Sequence, residues 1–78
     1  MEIDERVRKT MILFNDNLRS IKEDELSKKE LEVVEMAKMY ASDAEAWVKK
    51  GDYVTAFSGI EYAHGLLDAI RKIRNADG

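Results

Sequence analysis

Hydrophobic residues recur every three or four positions in three stretches of the chain, which is the spacing of amphipathic helices. The first stripe consists of Ile3, Val7, Met11, Phe14, Leu18 and Ile21. The second consists of Leu31, Val34, Ala37, Ala41, Ala44 and Val48, widened by Met36, Tyr40 and Trp47. The third consists of Ala56, Ile60, Ala63, Leu67 and Ile70, with Phe57, Leu66 and Ile73 beside it. The pattern predicts helices over residues 2–22, 28–50 and 53–74 of a single domain, 1–78, folded as an all-α, three-helix, up-and-down antiparallel bundle.

Local signals define both ends of the second helix. Ser27 is followed three residues later by Glu30, which is the spacing of a capping box. Gly51 stands where a helix commonly ends, and Asp52 can cap the helix that follows. We therefore expect a helical hairpin with a tight turn at Gly51 and Asp52.

Folding the hairpin about that turn places small residues of its two helices opposite each other. Ala44 is expected to lie near Gly59, and Ala41 near Ala63. Because small side chains let helix axes approach closely, the second and third helices should pack at a short distance. This contact explains why a helix interior retains Gly59, which by itself costs helix stability.

Composition and charge limit the possible functions. The 78 residues include no proline and no cysteine, and 13 Lys and Arg against 16 Asp and Glu give a net charge of −3. We therefore expect neither a disulfide nor a thiolate metal site, and neither nucleic acid nor a membrane as a partner. With its acidic N-terminus, the chain is expected to remain in the cytoplasm.

The chain resembles a known family at three motifs. They are Tyr40-Ala41-Ser42-Asp43-Ala44, then residues 51–57, then residues 60–69, in which the run that begins Tyr62-Ala63-His64-Gly65 is the most specific part. Together they are similar to the small archaeal family termed domain of unknown function 357. The resemblance covers essentially the whole chain and is strongest over residues 40–69. It implies a three-helix bundle and an archaeal source, and it brings no established activity.

Polar residues in the same region form a candidate binding group: Tyr40, Asp43, Tyr62, His64 and Asp68. Glu61 and His64 have the spacing of half a carboxylate-bridged metal site, but no second such pair follows. We therefore predict no metal, no cofactor and no catalytic residues. A structural His64–Asp68 pair, a ligand contact and, least favoured, a metal site remain as alternatives.

Apolar residues outside the predicted core stripes favour a protein-interaction role. They are Ile12, Leu13, Val33 and Met39. Four consecutive apolar residues, 11–14, are more than one helix seam requires. Our preferred hypothesis is a non-enzymatic interaction or oligomerisation module, with a protein partner or a second copy of the chain. The alternative is a small-ligand or metal-binding protein that uses the candidate binding group.

Overall fold

The computed structural model describes residues 2–77 and the side chains of residues 2–74. It contains three α-helices, α1 (Ile3–Ser20), α2 (Lys28–Lys49) and α3 (Tyr53–Asp77), with a 3-10 helix, Glu23–Glu25, between α1 and α2. The predicted all-α, three-helix bundle is therefore confirmed. Met1 and Gly78, the ends of the predicted domain, lie outside the described residues.

The helix ends differ slightly from the predicted ones. The first helix ends at Ser20 instead of 22, because the acidic residues that follow form the separate 3-10 helix. The third helix continues to Asp77 instead of ending at Arg74. Residues 75–77 contain neither proline nor glycine, so nothing in them interrupts the helical hydrogen bonds.

The capping box at the start of α2 is confirmed. The backbone N–H of Glu30 donates to the Ser27 hydroxyl over 3.1 Å, and the Ser27 N–H donates to a Glu30 carboxylate oxygen over 2.8 Å. The bond from the Ser27 N–H lowers the pKa of Glu30 from its ordinary value. Glu30 also lies 3.4 Å from Nη1 of Arg74, so the start of α2 is tied to the last turns of α3.

The turn between α2 and α3 has the expected composition and geometry. Gly51 has a φ of 81°, in the left-handed region that favours glycine. Its N–H donates to the Val48 carbonyl over 2.9 Å, and the Asp52 N–H donates to the Trp47 carbonyl over 3.0 Å. These two bonds are those of a Schellman motif. The Thr55 N–H then donates to Asp52 Oδ1 over 3.0 Å, which makes Asp52 the cap of α3.

The third helix lies in the middle of the bundle and packs against both others. It is antiparallel to α2, since Ala44 lies against Gly59 while Glu30 pairs with Arg74. It is parallel to α1, as expected for an up-and-down bundle, since Arg6 lies over the Phe57 ring and Thr10 Oγ1 lies 3.1 Å from Glu61 Oε1. The buried core contains Val7, Phe14, Val34, Ala37, Ala41, Ala44, Ala56, Ile60, Ala63, Leu67 and Ile70.

The connection between α1 and α2 is held by an ion pair. Nζ of Lys38, on α2, lies 3.0 Å and 3.1 Å from the two carboxylate oxygens of Glu23 in the 3-10 helix. This contact with Glu23 raises the pKa of the Lys38 ammonium group.

Some residues that the sequence pattern assigned to the core stripes lie largely outside the core. They are Ile3, Met36, Tyr40, Trp47 and Ile73. Met36 directly precedes the buried Ala37, and neighbouring residues of a helix point about 100° apart. The narrow row of alanines on α2 is enough to fill its contact with α3, so the larger side chains beside that row stay exposed.

Candidate functional site

An open groove lies between α2 and α3, and its floor is made by the closest contact of the two helices. A Cβ atom on Gly59 would lie 3.6 Å from Cβ of Ala44 and 3.6 Å from the carbonyl oxygen of Tyr40. The predicted contact of Ala44 with Gly59 is thus confirmed. Because neither residue has a long side chain, the space above them stays open, with a volume of about 330 Å³.

Aromatic side chains form the walls of this groove. Tyr40 and Tyr62 meet edge to face, with ring centroids 4.7 Å apart and an angle of 85° between the ring planes. This geometry is favourable because the positive edge of one ring meets the negative face of the other. Trp47, two turns after Tyr40 on α2, also lines the groove. We call this site the aromatic groove; its lining residues are Tyr40, Asp43, Ala44, Trp47, Thr55, Ser58, Gly59 and Tyr62.

Asp43 is the one side chain with a formal charge among these lining residues. Thr55 is already engaged, since its hydroxyl donates to Asp52 Oδ2 over 2.7 Å. The aromatic groove therefore combines apolar ring surfaces with one carboxylate, and no cationic side chain lines it.

The structure divides the predicted polar group between two sides of α3. Tyr40, Asp43 and Tyr62 line the aromatic groove, whereas His64 and Asp68 do not. Residues two positions apart on a helix point roughly 200° away from each other, so Tyr62 and His64 face opposite ways. Glu61 contacts Thr10 and so lies on the side of α3 that packs against α1, and His64, three positions later, shares that side.

Neither His64 nor Asp68 makes the contacts that the structural alternative expected. Asp68 pairs with Lys72 at 3.2 Å and with Arg71 at 3.8 Å. Nδ1 of His64 is buried and has no hydrogen-bond partner among the described residues. Among the side chains of residues 2–74, no group of three His, Cys, Asp or Glu residues is arranged to hold a metal ion.

The predicted interface residues lie on different parts of the surface. Ile12 and Leu13 are exposed on α1, and Met39 is 68% exposed on α2. Val33 differs, because it is partly buried against the core. Sequence reasoning missed Met36, which is 44% exposed beside Met39.

Met36 and Met39 belong to a continuous apolar strip on the outer side of α2. Leu31 extends the strip toward the start of the helix, and Lys28, Glu32 and Glu35 border it. We call these six residues the methionine surface. The spacing of Met36 and Met39 could have indicated it, since positions three residues apart share one side of a helix.

A larger cavity, of about 450 Å³, lies at the other end of the bundle and contains Lys22, Arg71 and Arg74. Each arginine already has a carboxylate nearby, because Arg71 faces Asp68 at 3.8 Å and Arg74 faces Glu30 at 3.4 Å. Glu25 also lines this cavity. The positive charges there are thus largely balanced, and the cavity offers less chemical selectivity than the aromatic groove.

A small three-helix bundle with an open aromatic groove between α2 and α3 is the class of protein that these features define. Residues 11–76 match the family described as "Protein of unknown function (DUF357)", and the chain belongs to that family. The family resemblance seen in the sequence motifs is therefore confirmed. No curated protein and no solved structure matches the chain. No helix within residues 2–77 is long and apolar enough to cross a membrane.

Proposed function

We propose that this protein is a non-enzymatic protein-interaction module that docks an amphipathic helix on the methionine surface. The observation that carries the proposal is that α2 is apolar on two sides. Its inner side contributes Val34, Ala37 and Ala41 to the core, and its outer side presents Met36 and Met39 to solvent.

Folding of the bundle does not require the outer apolar side. Met39 is 68% exposed, so it contributes little buried area within the chain, whereas a partner could cover it completely. Methionine side chains are flexible and polarisable, and they adapt well to the side chains of another helix. Lys28, Glu32 and Glu35 at the border supply the charged rim that such docking surfaces commonly have.

The partner helix is supplied either by a second copy of the chain or by another protein. Ile12 and Leu13 are apolar and exposed on α1, so this part of α1 can lie on the methionine surface of a second copy. This arrangement would cover apolar residues of both chains at once.

Sedimentation velocity on the purified chain tests the proposal. We expect the weight-average mass of the wild type to rise with concentration in the micromolar range, and Met39→Glu to reduce this rise. Val54→Glu is the matched control, because Val54 is 67% exposed on α3 and lies outside the methionine surface. Circular dichroism should show unchanged helix content for both variants.

A monomeric wild type would contradict self-association and assign the surface to another protein. In that case, affinity capture from an extract of the source organism should recover proteins with the wild type and Val54→Glu that Met39→Glu does not recover. If all three chains are monomeric and recover the same proteins, the proposal is wrong.

The same proposal includes the cellular setting. We place the interaction in the archaeal cytoplasm, which rests on the mixed surface charge and the family resemblance. The alternative function, binding of a small ligand, is supported by the geometry of the aromatic groove.

A further inference from the structure

We propose that the aromatic groove binds an alkylammonium group, with its positive charge between the rings of Tyr40, Trp47 and Tyr62 and the carboxylate of Asp43. This inference deepens the small-ligand alternative and is independent of the methionine surface, since the two surfaces have no lining residue in common.

The aromatic rings favour a cation. Three of the six aromatic residues of the chain line this one groove. The face of an aromatic ring is electron-rich and attracts an ammonium group that lies within about 6 Å of the ring centre. An anion would be repelled both by these faces and by Asp43, whereas a neutral apolar group would gain nothing from the carboxylate.

Other aromatic side chains of the protein already hold cations. The Arg6 guanidinium lies 5.0 Å from the Phe57 ring centre, and that of Arg8 lies 5.8 Å from the Tyr53 ring centre. Among the described residues, neither Tyr40 nor Tyr62 has a cation over its ring. The aromatic groove thus presents two rings that hold no cation of the protein, although the edge of one covers a face of the other.

The ring of Trp47 already has a cation of the protein over it, the ammonium group of Lys50. Nζ of Lys50 lies 4.8 Å from the centre of the Trp47 ring, although Lys50 does not line the groove. The contact indicates that this ring attracts an ammonium group. Because like charges repel, Lys50 should weaken the binding of an external cation.

The size of the groove fits a small head group. A volume of about 330 Å³ is at the lower end of the range for ligand pockets. The small residues Gly59 and Ala44 leave the space between the helices free for a methylated ammonium group. The groove is open to solvent, so the rest of a longer molecule can extend outward.

Two-dimensional NMR titration tests this inference. The indole N–H of Trp47 reports directly, because the chain has one tryptophan, and the Gly59 amide reports from the floor. The probes are tetramethylammonium chloride, n-butylammonium chloride and the neutral alcohol 3,3-dimethyl-1-butanol, all at a constant ionic strength set with sodium chloride. We expect saturable shifts of both signals with the cations, with a Kd of about 1 mM.

The neutral alcohol separates recognition of charge from apolar contact. Its tert-butyl group has the shape of a trimethylammonium group without the charge, and we expect the alcohol to bind at least about tenfold more weakly than tetramethylammonium. Equal binding of alcohol and cation, or shifts that do not saturate with either cation, would show that the inference is wrong.

Variants locate the site. Asp43→Asn should weaken binding of both cations by about fivefold or more, because it removes the carboxylate but preserves the shape. Glu45→Gln is the matched control, since Glu45 is exposed on the same helix outside the groove, and it should leave the Kd unchanged. Lys50→Gln should tighten binding. An Asp43→Asn variant that binds as well as the wild type would contradict the proposed role of Asp43.

The two cations distinguish the source of the alkylammonium group. Tighter binding of tetramethylammonium indicates a quaternary ammonium group as the ligand, such as that of a small methylated amine. Tighter binding of n-butylammonium, which reproduces the end of a lysine side chain, indicates a lysine presented by another protein. Loss of self-association in Met39→Glu with unchanged cation binding would confirm that the two surfaces act separately.

Discussion

Gly59 lies directly against Ala44, so that a methyl group on Gly59 would be 3.6 Å from Cβ of Ala44. This distance is ordinary van der Waals contact, which leaves room for one carbon atom and no more. The contact sets the spacing of α2 and α3 and at the same time makes the floor of the aromatic groove.

The Gly59 contact predicts opposite results for a small and a large replacement. Gly59→Leu should lower the free energy of unfolding by about 1–3 kcal/mol, because the added atoms force α2 and α3 apart. Gly59→Ala should be neutral or stabilising, since the methyl group fits and alanine favours a helix by about 1 kcal/mol. Chemical denaturation followed by circular dichroism measures both.

Gly65 provides the control position for the two substitutions at Gly59. No atom of the surrounding side chains lies within 4 Å of a Cβ on Gly65. Gly65→Leu should therefore be tolerated, unlike Gly59→Leu. Equal losses of stability in the two leucine variants would contradict the packing described for Gly59.

The conformation of Gly51 in the turn predicts that any side chain at this position lowers the free energy of unfolding. With a φ of 81°, Gly51→Ala places Cβ in a crowded left-handed conformation and should lower the free energy of unfolding by about 1 kcal/mol. Lys49→Ala, two residues earlier and in helical geometry, should change stability by less than about 0.5 kcal/mol. Thermal melting of both variants against the wild type gives the comparison.

The buried Nδ1 atom of His64 predicts a stabilising substitution. A buried polar atom without a hydrogen-bond partner destabilises the folded state, and an apolar side chain of similar size removes that cost. We expect His64→Leu to raise the free energy of unfolding by about 1 kcal/mol, and His64→Gln, which keeps polar atoms, to give no gain. A clear loss of stability in His64→Leu, measured at pH 8, would instead assign a required polar contact to His64.

The cap of α3 predicts a specific dependence on pH. The N–H and hydroxyl of Thr55 both donate to Asp52 and lower the pKa of its carboxyl group. The folded chain therefore binds fewer protons at Asp52 than the unfolded chain, in which an aspartate titrates near 3.9. This contribution to stability is present above about pH 4 and is lost as the pH falls through the lower, folded-state pKa.

Asp52→Asn isolates this contribution. Asparagine is also a good helix cap, but it does not titrate. We expect the variant to lose less stability than the wild type between about pH 5 and about pH 2, as measured by denaturation at each pH. Glu45→Gln is the control for removing an exposed carboxylate and should follow the wild-type curve. Parallel curves for wild type and Asp52→Asn would contradict the assignment.

Much of the aromatic groove could have been located from the sequence, yet the predicted polar group wrongly joined His64 and Asp68 to the residues that line it. Tyr40, Asp43 and Trp47 are three and four positions apart, and this spacing predicts one shared side of α2. Tyr62 and His64 are two positions apart, which places them on opposite sides of α3. Their closeness along the chain concealed that difference in direction.

The sequence by itself determined the helices, their caps and the row of small residues that faces the core. These features depend on local rules: the 3.6-residue period, the Ser27 capping box and the positive φ available to Gly51. Each is set by residues within a few positions of one another, so no knowledge of the other helices is needed.

Only the tertiary structure decided which apolar side chains are covered. The exposure of Met36 and the meeting of Tyr40 with Tyr62 depend on how closely α2 approaches α3 and in which register. That approach is set by the contact of Ala44 with Gly59, which lie on either side of the turn and 15 positions apart in the sequence. The helical period gives the direction in which each side chain points around one helix axis. A groove between helices also depends on the distance between two helix axes.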